Sequence, residues 1–173
     1  GLSDTKNLCG ALEFSENISK AGTQPIIGSQ INFKFKDQIG ILPIIANNFE
    51  GYKSIIGLSS KSYLENKTTD EPHCSFQELL NIKSGVTILS GSFGGLIGNL
   101  FAKNLLTEID EVFKLIKDVF NDKFYLEIQR HNDVGEKLFE EFLLKKSNDL
   151  AIPLIATHEV FYLDKDMHEA HDA

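Results

Sequence analysis

The chain has 173 residues, 42% of them apolar and 24% charged, with a formal net charge of −8. That is the balance of one ordinary globular domain with a real core, and a membrane span is not supported, because no window of about 18 residues is continuously apolar. The acidic balance, with Arg130 as the only arginine, argues against a main nucleic-acid surface, since phosphate backbones are held through Lys and Arg.

Taken in chain order, the pattern alternates strand and helix. Residues 8–21 read as a helix with Leu8, Ala11, Leu12, Ile18 and Ala21 on one side, ended by Gly22. Pro25-Ile-Ile-Gly28 begins a buried strand that runs to Phe35, and residues 39–46 form a second apolar strand. The turn at Lys36-Asp-Gln38 makes these two a candidate hairpin. Residues 49–64 read as a helix carrying Tyr52, Ile55, Ile56 and Tyr63, and residues 65–72 as a polar loop. Ser75 with Glu78 three residues on has capping-box spacing for a short helix through Leu80.

Residues 86–89 read as a strand, followed by a tight bend at Gly91, Gly94, Gly95 and Gly98. The clearest helix is 104–120, with Leu105, Ile109, Val112, Phe113, Ile116 and Phe120 at helical spacing. A strand at 124–128, a helix at 135–146 with Leu138, Phe139 and Phe142 inward, and a buried strand at 153–156 complete the pattern. The repeated units suggest a parallel sheet with helices outside, either a barrel or an open sheet. Gly1-Leu-Ser3 reads as the tail of a strand, and Asp166 to Ala173 as a helix of one or two turns. The sequence is therefore expected to be a piece of a longer protein. Cys9 and Cys74 fit no CxxC pattern and read as free thiols of a reducing, cytoplasmic compartment.

In parallel α/β folds the working residues sit at the C-terminal ends of strands. Asp4, Ser90, Ser92, His131, His158 and Glu159 fall at such ends. If the sheet curls, they converge on one rim, where Asp4, His131, His158 and Glu159 could bind a divalent metal. On spacing alone, strand-end polar groups satisfied by backbone and water are the favoured reading. His168-Glu-Ala-His171 has its histidines at i and i+3, one short of the zinc-protease spacing, and reads as surface histidines. Ser90-Gly-Ser-Phe-Gly-Gly95 matches neither GxGxxG nor GxxxxGK[ST] and reads as a strand-to-helix turn, and no Gly-x-Ser-x-Gly surrounds Ser90. His73 is given no role.

Several segments together resemble one family. They are Leu2-Ser-Asp-Thr-Lys-Asn-Leu-Cys-Gly-Ala-Leu-Glu-Phe14, Ala21-Gly-Thr-Gln-Pro-Ile-Ile-Gly-Ser-Gln30, Phe49-Glu-Gly-Tyr52, Ser60-Lys-Ser-Tyr-Leu64, Leu89-Ser-Gly91, Leu126-Glu-Ile-Gln-Arg-His131, Pro153-Leu-Ile-Ala-Thr157 and the closing 166–173. In order and spacing they resemble the PHP (polymerase and histidinol phosphatase) domain of the C-family replicative polymerases, the alpha subunits of bacterial DNA polymerase III. The resemblance implies a distorted (β/α)7 barrel of PHP type, here lacking its first strand and helix. Residues 1–173 would then be one partial PHP domain with the polymerase domain beyond it.

The resemblance also implies a metal site, position by position. Active members carry His where this chain has Thr5, Glu where it has Gln30, His where it has Ile41 and Cys where it has Ser92. They carry Asp and His where it has Glu159 and Phe161, while His131 matches its position. Thr is a poor ligand, Gln lacks the charge, and Ile and Phe offer no lone pair, so no intact metal cluster is expected. The implied function is a noncatalytic scaffold that binds no cofactor of its own, within a parent polymerase that uses Mg2+. Its implied partners are the polymerase domain of the same chain, the proofreading exonuclease subunit and other replicase subunits. DNA would be bound mainly by other domains, with no role for a membrane. The alternative is a metal-dependent PHP-family phosphoesterase using His131 and Glu159, with His158 as a substitute ligand.

Overall fold

The structure, a computed structural model, describes residues 1–67, 69–160, 162 and 164–167. The elements are β1 (Leu2–Thr5), α1 (Ala11–Lys20), β2 (Ile27–Phe35), β3 (Gln38–Ala46), α2 (Phe49–Leu64), β4 (Cys74–Ser75) and α3 (Phe76–Leu80). They continue with β5 (Val86–Leu89), α4 (Leu96–Ala102), α5 (Leu106–Phe120), β6 (Phe124–Ile128), α6 (Glu136–Leu150) and β7 (Leu154–Ala156). The 168–173 part of the expected closing helix, with both histidines of the His168-Glu-Ala-His171 motif, lies outside the described residues.

The strands form one seven-stranded sheet in the order β1-β2-β3-β5-β6-β7, with β4 beside β2. β1 pairs β2 in parallel, as do β5 with β6 and β6 with β7. The expected parallel sheet is corrected to a mixed one, because β3 runs antiparallel to both β2 and β5. The cause is local. Only Lys36 and Asp37 separate β2 from β3, Lys36 takes φ 51°, and a connection that short forces the chain back on itself. Although β1 and β7 are the ends of the sheet order, Leu2 to Thr5 and Thr157 to Val160 line the same cleft. The sheet is therefore curled into a partial barrel with its helices outside.

The core lies between that curl and the helices. Phe33, Leu42, Ile44, Ile88, Phe124 and Leu126 meet Ile55, Leu79, Leu96, Ile97, Leu100, Ile109, Val112, Phe113 and Ile116 with no exposed surface at any of them. Helix α5 buries the stripe that its periodicity predicts. Leu12, of the apolar side expected for the first helix, and Leu138, expected inward, point outward instead (72% and 64% exposed), and Ile56 (41%) and Tyr63 (53%) of α2 are exposed as well. Helix α1 buries only Ala11, and α2 turns a narrow stripe of Gly51, Ile55, Leu58 and Ser62 inward, so a wide apolar pattern exceeds the face actually covered. β7 is exposed along its whole length rather than buried, because it is the last strand in the sheet order and its described strand partner is β6. The glycine bend ends at Gly95; Gly98 is buried inside α4.

Local chemistry explains the boundaries. The Ser75 side chain accepts the Glu78 N–H while Glu78 accepts the Ser75 N–H, a complete capping box that starts α3. The Cys74 thiol just before it donates to the Leu58 carbonyl at 3.2 Å, and burial pushes its pKa up to about 12, which leaves it unreactive. Cys9 is free and exposed. Among the described residues no helix is long and apolar enough to cross a membrane.

Two glycines of α2 give opposite expectations. A Cβ on Gly51 would meet the Gly85 carbonyl oxygen at 1.7 Å, a backbone atom that cannot step aside, whereas a Cβ on Gly57 would meet nothing within 4 Å. Gly51→Ala should destabilise by about 1–3 kcal/mol through overpacking, and Gly57→Ala should stabilise by ~0.5–1 kcal/mol through helix propensity. Hydrogen exchange of the α2 and β5 amides reads both, as faster exchange in the first variant and slower in the second.

Candidate functional site: a cleft inside the curled sheet

A cleft of about 770 Å³ opens inside the curl, walled by β1, β2, β3, the turn after β5, β6 and the segment after β7. Sheet register builds its floor. Thr5 pairs with Gln30, and Gln30 with Pro43, so these side chains lie in adjacent rows. The Gln30 amide donates to the Ser3 carbonyl at 3.3 Å, which ties the second row to the first. Gly91, at φ 82°, turns the chain out of β5 and brings Ser92, Gly94 and Gly95 to the wall.

Of the residues expected at a metal rim, the structure gathers Asp4, Thr5, Gln30, Ile41, Ser92, His158 and Glu159 around this cleft. Two others are placed elsewhere. Ser90 is fully buried in the β5–β6 ladder, where its Oγ accepts the Glu127 N–H at 2.9 Å, so it has no access to a ligand. His131 is exposed and does not line the cleft. Its backbone N–H is held by the buried Glu136 carboxylate at 2.9 Å, which also accepts the Asn132 N–H at 2.8 Å. The His131 ring stacks on His158 at 4.9 Å and donates from Nε2 to Gln129 Oε1 at 3.1 Å. Phe161 lies outside the described residues.

The carboxylate that dominates the wall is one that motif spacing does not single out. Glu127 of β6 is 4% exposed, with Leu126 facing the core on one side of the strand and Glu127 facing the cleft on the other. Its signal was parity. Tyr125, Glu127 and Gln129 alternate with Phe124, Leu126 and Ile128, which marks Glu127 as a charged residue on the inner face of an apolar strand. Thr157 donates its hydroxyl to Glu127 Oε1, and Gln129 Nε2 donates to both Thr157 Oγ1 (2.9 Å) and Glu127 Oε1 (3.3 Å). Glu127 Oε2 is buried with no partner in hydrogen-bond geometry among the described residues, as is Ser3 Oγ. Burial raises the Glu127 pKa; the Thr157 and Gln129 donors oppose the shift, the Glu159 charge reinforces it, and the nearby Gly91 N–H adds a weak downward pull.

Several of these side chains are already engaged or offer no charged donor, while His158 and Glu159 stand on the same cleft wall. Asp4 Oδ2 accepts the Gly10 N–H at 3.3 Å, at the turn into α1. Glu127 sits where burial favours its protonated form, which is a poor ligand. Thr5, Gln30 and Ser92 are neutral, and Ile41 is apolar. Among the described residues no group of three or more His, Cys, Asp or Glu is placed to hold a metal ion.

The pH consequence has a definite sign. The folded state holds the Glu127 proton more tightly than the unfolded chain does, so this residue's contribution to stability falls as pH rises above 4.5 and levels off once the folded form has ionised. Glu127→Gln mimics the protonated acid and removes that loss. Urea unfolding at a series of pH values should show the variant gaining on the native chain as pH rises; a gap independent of pH would show that folding leaves the Glu127 pKa unchanged.

The profile of the PHP domain matches residues 1–131. The chain is 35% identical to a DNA polymerase III subunit alpha of Rickettsia felis over 176 aligned residues, covering 99% of this chain and 14% of that protein. It is 33% identical to the proteins of that name from Caulobacter vibrioides (100% of this chain, 16% of the relative) and Haemophilus influenzae (99% and 15%). It thus spans a small fraction of each relative's length. With the profile running from β1 to the end of β6 and its loop, over a sheet that curls around the cleft just described, the chain belongs to the PHP domain family.

Proposed function

We propose that residues 1–173 act as one partial PHP domain of a replicative DNA polymerase and serve there as a noncatalytic scaffold. The parent would extend primers with its own Mg2+-dependent site in a separate polymerase domain, to which this domain is tied in the same chain. The proofreading exonuclease subunit and other replicase subunits would dock on it in the cytoplasm, and DNA would be held mainly elsewhere. The relatives' printed name supports the parent activity.

One observation carries the noncatalytic reading. Thr5, Gln30, Ile41 and Ser92 stand together around one cleft, at positions where the family resemblance implies metal donors. Losing several imidazole, thiolate and carboxylate donors at once removes the charge that would hold a di- or trinuclear site. The acidic balance of the chain, −8 overall, suits protein partners better than a phosphate backbone.

The test uses the full-length chain. Metal analysis of the purified protein should give no zinc or manganese attributable to this domain. Hydrolysis of a phosphodiester model substrate should be absent, and His131→Ala should leave primer extension unchanged. Stoichiometric metal together with phosphoesterase activity abolished by His131→Ala would establish the competing reading, a metal-dependent PHP phosphoesterase. Co-elution of the full-length chain with the proofreading exonuclease subunit, lost when this domain is deleted, checks the docking role separately.

A further inference from the structure

The lining of the cleft inside the curl combines two chemistries. Ile41, Pro43 and Ile45 of β3, with Leu89 of β5, form an apolar stretch. Three carboxyl side chains come from three other places in the fold: Asp4 of β1, Glu127 of β6 and Glu159 after β7. None of the three is in an ion pair among the described residues. The other titratable groups of the lining are the His158 imidazole and the Gly1 amine, and no lysine or arginine is among its described residues, so acid is in excess there.

A second, independent feature points to a ligand. Glu127 is 4% exposed, and while its Oε1 is held by Thr157 and Gln129, its Oε2 has no hydrogen-bond partner among the described residues. Ser3 Oγ, also in the lining, is buried and unpartnered in the same way. Buried acceptors left open cost free energy that a ligand's donors recover.

The spread of the acceptors selects the ligand. A metal ion draws its donors to within about 2.0–2.6 Å of one point, and among the described residues no three acidic, His or Cys side chains are so placed. A guanidinium instead carries five N–H donors in a planar fork and reaches acceptors standing apart from one another. It is weakly hydrated, so it enters a half-apolar cleft at lower cost than an ammonium, and its alkyl stem can lie along Ile41, Pro43 and Ile45. The cleft volume, about 770 Å³, is that of a small-ligand site.

We propose that the cleft binds a guanidinium group on an alkyl stem, with Glu127 as its charged acceptor and Ser3 and Glu159 as further acceptors. The group can come from an arginine side chain of a partner protein or from a free guanidino compound. With nothing cationic beside it, burial favours the proton on Glu127; the guanidinium takes that proton's place as the positive partner, and the proton leaves to solvent. This use of the cleft rests on its holding no metal, as the noncatalytic reading has it.

The experiment titrates the full-length chain with N-acetyl-arginine amide by saturation-transfer NMR, in a buffer containing a chelator. The comparison ligands are N-acetyl-citrulline amide, an uncharged isostere, and N-acetyl-lysine amide. Glu127→Gln and Glu159→Gln each remove one charge from the lining, and Glu141→Gln, exposed on α6 and outside the lining, is the control. The arginine ligand should bind the native chain and Glu141→Gln alike, more tightly than either comparison ligand. Its affinity should fall about ten-fold in Glu127→Gln and several-fold in Glu159→Gln, the loss of one charge-assisted hydrogen bond in each case. Circular dichroism checks both folds, and Glu159→Gln carries the test if Glu127→Gln unfolds. No binding at millimolar ligand, equal binding of the citrulline or lysine compound, or native affinity in a folded Glu127→Gln overturns the proposal. Agmatine separates the sources: binding as tight as that of the arginine amide assigns a free compound, and weaker binding assigns an arginine within a protein. Zinc and manganese are measured in the same preparation before chelation. Stoichiometric metal there overturns the noncatalytic reading, whereas a metal-free chain that binds no guanidinium overturns this proposal alone.

Discussion

The antiparallel hairpin of β2 and β3 is the constraint on which the other elements rest. Eight residue pairs run from Gly28↔Ile45 to Phe35↔Gln38, with Phe33, Leu42 and Ile44 fully buried between them and the helices. A two-residue turn closes it, so the register admits no slip without moving every inward side chain to the other face. β1 and β4 both lay themselves along β2, and β5 takes its direction from β3. The cleft inherits that order. Thr5, Gln30 and Pro43 stand abreast because backbone hydrogen bonds place them there, whatever their side chains can do chemically.

Within that frame the cleft is walled mainly by neutral and apolar groups, with Asp4, Glu127, His158 and Glu159 among them. Its wall holds a nearly buried carboxyl, Glu127, bridged by Thr157 and Gln129 between β6 and the segment leaving β7. β7 itself is exposed, and this polar link joins the segment after it to β6 in addition to their backbone pairing, while Ile152 before it is buried in the core. Burying an ionised carboxylate is costly, and the pKa of Glu127 moves in the direction that avoids it. Asp4 is engaged with the Gly10 N–H in the same structural way. Asp4, which its strand-end position offers to a metal, and Glu127, which motif spacing passes over, are thus both engaged by the fold.

The outer surface obeys a different economy of charge. Most of the ion pairs are solvent-exposed, such as Lys53 with Glu50 and Lys114 with Asp118, and contacts of this kind are worth little each. Around a cavity beside α3 they leave little charge over: Lys36 lies beside Glu111 and Glu108, and Lys61 beside Glu78 and Glu65.

Sequence alone was enough for the local elements. The 3.6-residue stripe of α5, the capping box of Ser75 and Glu78, and the apolar runs of β5 and β6 depend on neighbours a few residues apart, and all appear where their patterns place them. The tight turn between two apolar runs made the β2–β3 hairpin legible for the same reason. What the pattern could not decide is which apolar faces find a partner: Leu12, Ile56, Tyr63 and Leu138 have the right periodicity and still face outward, because burial depends on surfaces distant in sequence. The same holds for the cleft. Residue types at the family's positions could be read off one by one, but the role of Glu127, the withdrawal of His131 and the enclosure of Ser90 were decided only when strands far apart in the chain came into register, since proximity in three dimensions is set by packing and hydrogen-bond order rather than by spacing along the chain.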